Sequence, residues 1–89
     1  LHEATLQRGK AYLNLLQYKE ATADFSAYLA LRPDQTETYY FRGKARSGAG
    51  DNIGAVDDFQ AFLRHNPTSK RRKMLEKFIS QNAKAKKAS

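Results

Sequence analysis

Side chains that commonly carry out catalysis are scarce in this sequence. It contains two histidines and no cysteine, which excludes thiolate nucleophiles and thiolate metal ligands. His2 and His65 each fall at the end of a predicted helix, and a histidine near a helix C-terminus is favoured by the helix dipole. Asp57 and Asp58 are adjacent, so on a helix they point to different sides and do not form a carboxylate pair. Because H-E-x-x-H, Gly-rich phosphate-loop and nucleophile-elbow motifs are also missing, we expect no enzyme activity, no bound metal and no cofactor.

Charge is the more prominent chemical feature, since 16 basic and 9 acidic residues give a net charge of +7. Residues 1–69 hold eight of each sign, whereas residues 70–89 hold eight basic residues and one acidic residue. This basic segment raises the alternative of weak binding to nucleic acid or another anionic surface. No aromatic residue is interleaved with its basic face, so base stacking is not indicated. No apolar run approaches the roughly 20 residues of a membrane helix, and we expect neither nucleic acid nor a membrane as the main partner.

The elements that must position these residues are helices. Apolar residues recur at three- and four-residue spacing, which predicts helices over 3–16, 20–32, 37–48, 53–65 and 70–84. Pro33 and Pro67 end the second and the fourth, because proline cannot continue the helical hydrogen-bond ladder. No stretch alternates at period two, so no strand is predicted. At 89 residues the chain is expected to form one all-α domain.

The sequence repeats itself at one fixed offset, the repeat offset, which places Arg8 on Arg42 and Pro33 on Pro67. The same shift places Tyr28 on Phe62, which keeps an aromatic ring at the position. A period of about 34 residues built from two helices indicates stacked helical repeats. Ten of the residues that fall on an identical residue are Arg8, Gly9, Lys10, Ala11, Ala21, Asp24, Phe25, Ala27, Leu29 and Pro33.

The pattern resembles the tetratricopeptide repeat (TPR) family, whose units read W-x₂-L-G-x₂-Y, then A-x₃-F, then P. The small residues let two helices approach closely, and the phenylalanines fill the space between them. The resemblance implies a right-handed α-solenoid of two antiparallel helix pairs in a domain of residues 1–84. Repeat one would cover about 2–35, repeat two about 36–69 and a capping helix about 70–84, followed by a basic, disordered tail over 85–89. The residues expected to have structural roles in the two units are Gly9, Ala21, Phe25, Pro33, Gly43, Ala55, Phe59 and Pro67.

Both units depart from the family pattern in the same way. Arginine replaces the consensus leucine before the glycine, and an aspartate precedes the core phenylalanine. We expect Arg8 to pair with Asp24, and Arg42 with Asp58, because a partly buried guanidinium is costly without a carboxylate partner. The alternative is that these are solvated charges at equivalent positions.

The resemblance also implies a function, because the first helices of successive TPR units line a concave groove. The chain would then be a protein–protein interaction module that binds a partner peptide or protein segment in this groove. Exposed Tyr40 and Phe41 among basic residues would suit a peptide with apolar and acidic groups. The implied groove residues are Lys10, Leu13, Asn14, Tyr40, Phe41, Lys44 and Arg71, and the capping helix would also present Met74 and Phe78.

Two interpretations of the groove compete at several positions. Leu6, Phe41 and Leu75 can equally form core between adjacent helices rather than contact a partner. They also occupy three of the five positions at which one TPR subfamily clamps the terminal carboxylate of heat-shock chaperones. We therefore do not expect chaperone-tail binding.

The two ends of the chain differ in character. The helix over 70–84 has long polar residues where a further helix would pack, so we expect it to cap the array at a native end. The N-terminal end carries no cap, and two repeats are fewer than the about three usually needed. Two alternatives therefore stay open, namely further repeats upstream or a function in self-assembly, as a homo-oligomer, through this uncapped edge. Because the chain begins at Leu1, an upstream signal would not be visible; a soluble protein of the cytoplasm or periplasm fits the sequence.

Overall fold

Five helices make up most of the residues that the computed structural model describes, which are 2–88 for the backbone and 2–83 for the side chains. They are α1 (His2–Asn14), α2 (Tyr18–Leu31), α3 (Glu37–Gly48), α4 (Asn52–His65) and α5 (Arg72–Ala88). No strand occurs within residues 2–88, which confirms the all-α class. Within residues 2–88, none of the helices combines the length and the hydrophobicity of a membrane-spanning segment.

The ends of the first four helices lie within two residues of their predicted positions. Local signals explain this: α2 and α4 stop just before Pro33 and Pro67, and the Asp51 carboxylate caps α4 by accepting a hydrogen bond from the Gly54 amide at 2.9 Å. The last helix differs, because α5 continues to Ala88. The predicted disordered tail is therefore wrong for residues 85–88, whose alanines and lysines are strong helix formers. Ser89 lies outside the described residues.

Each helix packs against the next one along the chain. One core cluster lies among α1, α2 and α3, and is built on Ala21, Phe25 and Ala45. A second lies among α3, α4 and α5. Phe41 packs against both clusters, so α3 joins the two halves of the core. The buried members of the second cluster are Tyr40, Ala55, Phe59, Phe62 and Leu75.

Close helix contacts depend on a glycine at the same place in each half. A Cβ atom built on Gly9 would lie 2.8 Å from Cε1 of Phe25, and one on Gly43 would lie 2.5 Å from Cε1 of Phe59. Both distances are below ordinary van der Waals contact. The ring in each half therefore occupies the space that any larger residue would need.

The turns that follow α1 and α3 both contain a residue with positive φ. In the second turn this is Gly50, with φ of 89°, and in the first it is Leu16, with φ of 61°. The two positions are separated by the repeat offset, so the repeat extends to the backbone of the turn. A left-handed conformation costs an L-residue other than glycine about 1–2 kcal/mol. Leu16 therefore sits in a backbone position that favours glycine.

Replacing Leu16 with glycine should raise the free energy of unfolding by about 1 kcal/mol, because relief of the backbone strain outweighs the freedom that glycine adds to the unfolded chain. Little packing is lost, since Leu16 is 66% exposed. Thermal or urea unfolding followed by circular dichroism measures the change, with an expected increase in Tm of about 4–8 °C for a domain of this size.

Leu15 provides the matched control, because it is also 66% exposed but has negative φ. Leu15→Gly should lower stability through the added freedom of the unfolded chain. If Leu16→Gly were as destabilising as Leu15→Gly, the leucine side chain rather than the backbone would decide the energy of this turn.

Candidate functional site

Three cationic side chains from different segments lie over aromatic rings on one face of the protein. Nζ of Lys10, from α1, lies 4.8 Å from the ring centre of Phe41 on α3. Nζ of Lys44 lies 5.5 Å, and Cζ of Arg71, just before α5, lies 4.1 Å, from the ring centre of Tyr40. Cations within about 6 Å of a ring centre are attracted to its face. We call this surface the α1–α3–α5 face.

The two rings under these cations belong to the core. Tyr40 is only 7% exposed, and its ring centre lies 5.7 Å from that of Phe62 and 6.1 Å from that of Phe59. Phe41 is half-buried and stacks on Phe25 at 5.9 Å. The prediction that Tyr40 is exposed is therefore wrong, because neighbouring helices cover the ring. The rings of Tyr40 and Phe41 contact cationic side chains and do not form an exposed apolar surface.

Apolar surface for a ligand comes from two open hollows on either side of α3. The α3–α5 hollow has a volume of about 420 Å³ and lies above Phe59. The α1–α3 hollow has a volume of about 300 Å³. Lys44 lines both hollows, which makes them neighbours on one face. The α3–α5 hollow is lined by Tyr40, Lys44, Ser47, Gly48, Phe59, Met74 and Phe78, and the α1–α3 hollow by Leu13, Asn14, Leu16, Tyr18 and Lys44.

Two of the lining residues leave more than half of a large apolar side chain exposed to solvent. Met74 is 56% exposed in the α3–α5 hollow, and Leu16 is 66% exposed in the α1–α3 hollow. The groove that the resemblance implies includes Met74 but not Leu16. Self-comparison could have identified Leu16, since it is the leucine at the position where the second unit has Gly50.

Positive charge on this face is available for binding. Arg71 already donates from Nη1 to Oε1 of Glu37 at 3.2 Å. Within the described part of the chain, Lys10 and Lys44 have no carboxylate partner within salt-bridge distance. The face therefore carries two ammonium groups, each placed over an aromatic ring, that can receive an anionic group.

The predicted arginine–aspartate pairs lie behind this face, between the helices of each half. Arg8 donates from Nε and Nη2 to the two carboxylate oxygens of Asp24, each at 2.8 Å. Hydrogen bonding to Asp24 raises the pKa of the Arg8 guanidinium above its ordinary value. Arg42 donates to the carboxylate of Asp58 at 2.9–3.2 Å. Both pairs therefore have the bidentate geometry that arginine favours with carboxylates.

The sequence-based pairing missed a second arginine at the Asp58 carboxylate. Arg46 donates from Nη1 to Oδ2 of Asp58 at 3.1 Å, so this buried carboxylate contacts two guanidinium groups. The signal was present in the spacing, because Arg42 and Arg46 are four residues apart on one helix face. Arg42 also donates to the Ser26 hydroxyl at 3.2 Å and so connects α3 to α2.

Other titratable groups form local contacts away from the hollows. His65 stacks on Tyr39 with ring centres 6.5 Å apart and nearly parallel planes. The buried Tyr28 hydroxyl donates to Glu3 at 3.2 Å, and burial, followed by the Glu3 charge, raises the Tyr28 pKa. No group of three or more histidine, aspartate or glutamate side chains that could hold a metal ion occurs among the described residues.

Comparison with known proteins adds no relative. No protein-family model matches the chain, and a search of curated proteins finds no match. Function is therefore inferred from the residues and contacts of the α1–α3–α5 face.

Proposed function

We propose that this protein is a TPR-type interaction module that binds an extended segment of a partner protein. In this proposal the five helices form a right-handed solenoid of two helix pairs with α5 as the cap, and the α1–α3–α5 face is its concave groove. The observation that carries the proposal is the pairing of two lysine ammonium groups with two open hollows on a single face. No catalytic step is part of the proposal.

Equivalent backbone geometry in the two halves supports the repeat. The residue before α2, Gln17, has φ and ψ of −93° and 79°, and the residue before α4, Asp51, has −87° and 73°. The residue after α2, Arg32, has −132° and 68°, and the residue after α4, Asn66, has −134° and 62°. Members of each pair are separated by the repeat offset. The arginine–aspartate pairs and the glycine–phenylalanine contacts recur at the same offset, as expected for two copies of one unit.

The burial pattern of α5 supports its role as a cap. Leu75 is buried against the second core cluster, and Phe78 and Ile79 are partly buried beside it. The positions that would face a partner helix in a third unit are exposed and polar, namely Lys73, Glu76, Lys77 and Ser80. One covered face and one hydrated face are what a terminal helix of a repeat array requires.

The combination of apolar surface and positive charge on the α1–α3–α5 face favours a peptide as the ligand. The hollows supply concave apolar surface, which is the main source of binding energy for small ligands. Lys10 and Lys44 supply charge, which sets specificity and association rate more than affinity. Among the described residues, the acidic side chain on this face is Glu37, which is already paired with Arg71. The complementary partner therefore presents apolar side chains together with carboxylates.

Reversing the charge of the groove should weaken peptide binding. Peptides are first selected on the immobilised protein from a display library of random linear sequences. Lys10→Glu with Lys44→Glu should then weaken their binding tenfold or more, in line with close charge pairs worth at least about 1.4 kcal/mol at an interface. Fluorescence anisotropy of labelled peptides measures the dissociation constants.

The matched control reverses two exposed basic residues on α2 and α4, Lys19 and Arg64, and should change affinity less than twofold. Equal loss in both double variants would indicate attraction to overall charge and contradict a groove. If the peptides bound the variant with Lys10→Glu and Lys44→Glu as tightly as the unaltered protein, the binding surface would lie elsewhere.

A further inference from the structure

We infer that the bound segment carries two apolar side chains four positions apart with a carboxylate midway between them, so that all three face the protein. This inference rests on the proposed peptide-binding function and specifies its partner chemistry. It is drawn from the two hollows, the lysine that they share and the exposed leucine in the first turn.

Lys44 determines where the carboxylate must lie. Its side chain lines both the α1–α3 and the α3–α5 hollow. Its ammonium group lies 5.5 Å from the ring centre of Tyr40, is exposed, and has no carboxylate partner within the described residues. A segment that fills both hollows must pass over this ammonium group, so an acidic side chain in the middle of the segment meets it.

The exposed side chains of Leu16 and Met74 indicate that apolar side chains of the partner fill the hollows. Glycine is sufficient at this point of the turn, because Gly50 occupies the equivalent position in the second turn. Leu16 keeps a large apolar side chain there despite the unfavourable φ and leaves it 66% exposed in the α1–α3 hollow. Strain of this kind that the fold does not require points to a binding role. Met74 supplies an adaptable apolar side chain on the other side of α3.

The spacing follows from helix and strand dimensions. Helices in contact have axes about 8–10 Å apart, so hollows on either side of α3 are separated by at least about that distance. An extended chain rises about 3.3 Å per residue and points alternate side chains to the same face. Positions i and i+4 then lie about 13 Å apart on one side, which fits a segment crossing α3 obliquely, and position i+2 falls over Lys44.

Two synthetic peptides of equal composition, with both ends blocked to remove terminal charge, test the inference. The in-register peptide is Gly-Ser-Leu-Ser-Glu-Ser-Leu-Ser-Gly. The out-of-register peptide, Gly-Ser-Leu-Glu-Ser-Ser-Leu-Ser-Gly, turns the carboxylate to the opposite face. Titration into isotope-labelled protein, followed by NMR, should shift the methyl resonances of Leu16 and Met74 together. The in-register peptide should bind about fivefold more tightly, as expected for one exposed charge pair.

Substitutions in the protein test the contact with the carboxylate and the apolar contact separately. Lys44→Gln should remove the preference between the two peptides, whereas Lys19→Gln, on α2, should leave it unchanged. Leu16→Gly should weaken the in-register peptide about fivefold through lost apolar contact, although the same change is expected to stabilise the fold. A loss of binding in a more stable protein cannot be attributed to unfolding.

The outcomes distinguish this inference from the proposed function. Equal affinity for the two peptides, with shifts at Leu16 and Met74, would overturn the inference and leave a peptide-binding groove in place. Shifts confined to α2 and α4 would overturn both. If neither peptide shifted any resonance up to its solubility limit, the inference would be wrong, and the display selection would decide the proposed function separately.

Discussion

Replacing Asp58 with alanine should lower the free energy of unfolding by about 3–5 kcal/mol, as expected when one partner of a buried ion pair is removed. The Asp58 side chain is 3% exposed, and it accepts hydrogen bonds from both Arg42 and Arg46. Arg42 is itself only 17% exposed, so its guanidinium would remain desolvated without a counter-charge. Urea unfolding followed by circular dichroism measures the loss. It is a large fraction of the about 5–15 kcal/mol that stabilises a typical domain.

Asp24 and Glu76 provide controls, because their ion pairs are more exposed to solvent than that of Asp58. Asp24→Ala should cost less than Asp58→Ala, because its partner Arg8 is 63% exposed and can turn into water. Glu76→Ala breaks an exposed pair with Arg72 four residues away and should cost about 0.3–0.5 kcal/mol. If Asp58→Ala cost no more than Glu76→Ala, the buried pair would not stabilise α3 against α4.

Replacing Gly43 with alanine should lower the free energy of unfolding by about 2 kcal/mol, although alanine is intrinsically the better helix former by about 1 kcal/mol. The new Cβ would lie 2.5, 2.7 and 3.1 Å from three ring carbons of Phe59. Phe59 is buried in the second core cluster, so a shift of its ring disturbs the packing of that cluster. Overpacking of this kind typically costs about 1–3 kcal/mol, and we place Gly43 near the upper end before the helix gain is subtracted.

Two variants show whether contact with the ring is the cause. Gly43→Ala should cost much less when Phe59 is changed to leucine, so the double-mutant cycle should show strong coupling. Gly48→Ala directs its Cβ at the ring of Tyr18, which is half-buried and can swing into solvent, so its cost should be smaller. Additive effects at Gly43 and Phe59 would contradict a steric origin.

Much of the fold could be predicted because the signals are local and occur twice. Pro33, Pro67 and the helical periodicity set the ends of four helices to within two residues. The repeat offset predicted which arginine meets which aspartate, since equivalent departures in two copies indicate equivalent contacts. Those contacts lie within one repeat unit, where helix geometry and a short turn leave little freedom.

The site was less predictable because exposure depends on neighbours that the sequence does not place. Tyr40 was expected to be exposed, but α4 and α5 cover its ring. Of the residues for which a core role was the alternative, Leu75 is buried, whereas Leu6 and Phe41 are half-buried. The left-handed φ of Leu16 could not be predicted from leucine itself, and only comparison with Gly50 indicates it. A repeat thus predicts what its two copies share better than where one copy departs.

If an extended partner segment binds the α1–α3–α5 face, as we propose, its atoms lie close to the side chains of both hollows. Intermolecular NOEs between a display-selected peptide and the protein test it most directly, because they report contacts independently of affinity. The expected NOEs connect the peptide to Leu13 and Leu16 in the α1–α3 hollow and to Met74 and Phe78 in the α3–α5 hollow. NOEs confined to the outer surfaces of α2 and α4 would contradict the claim.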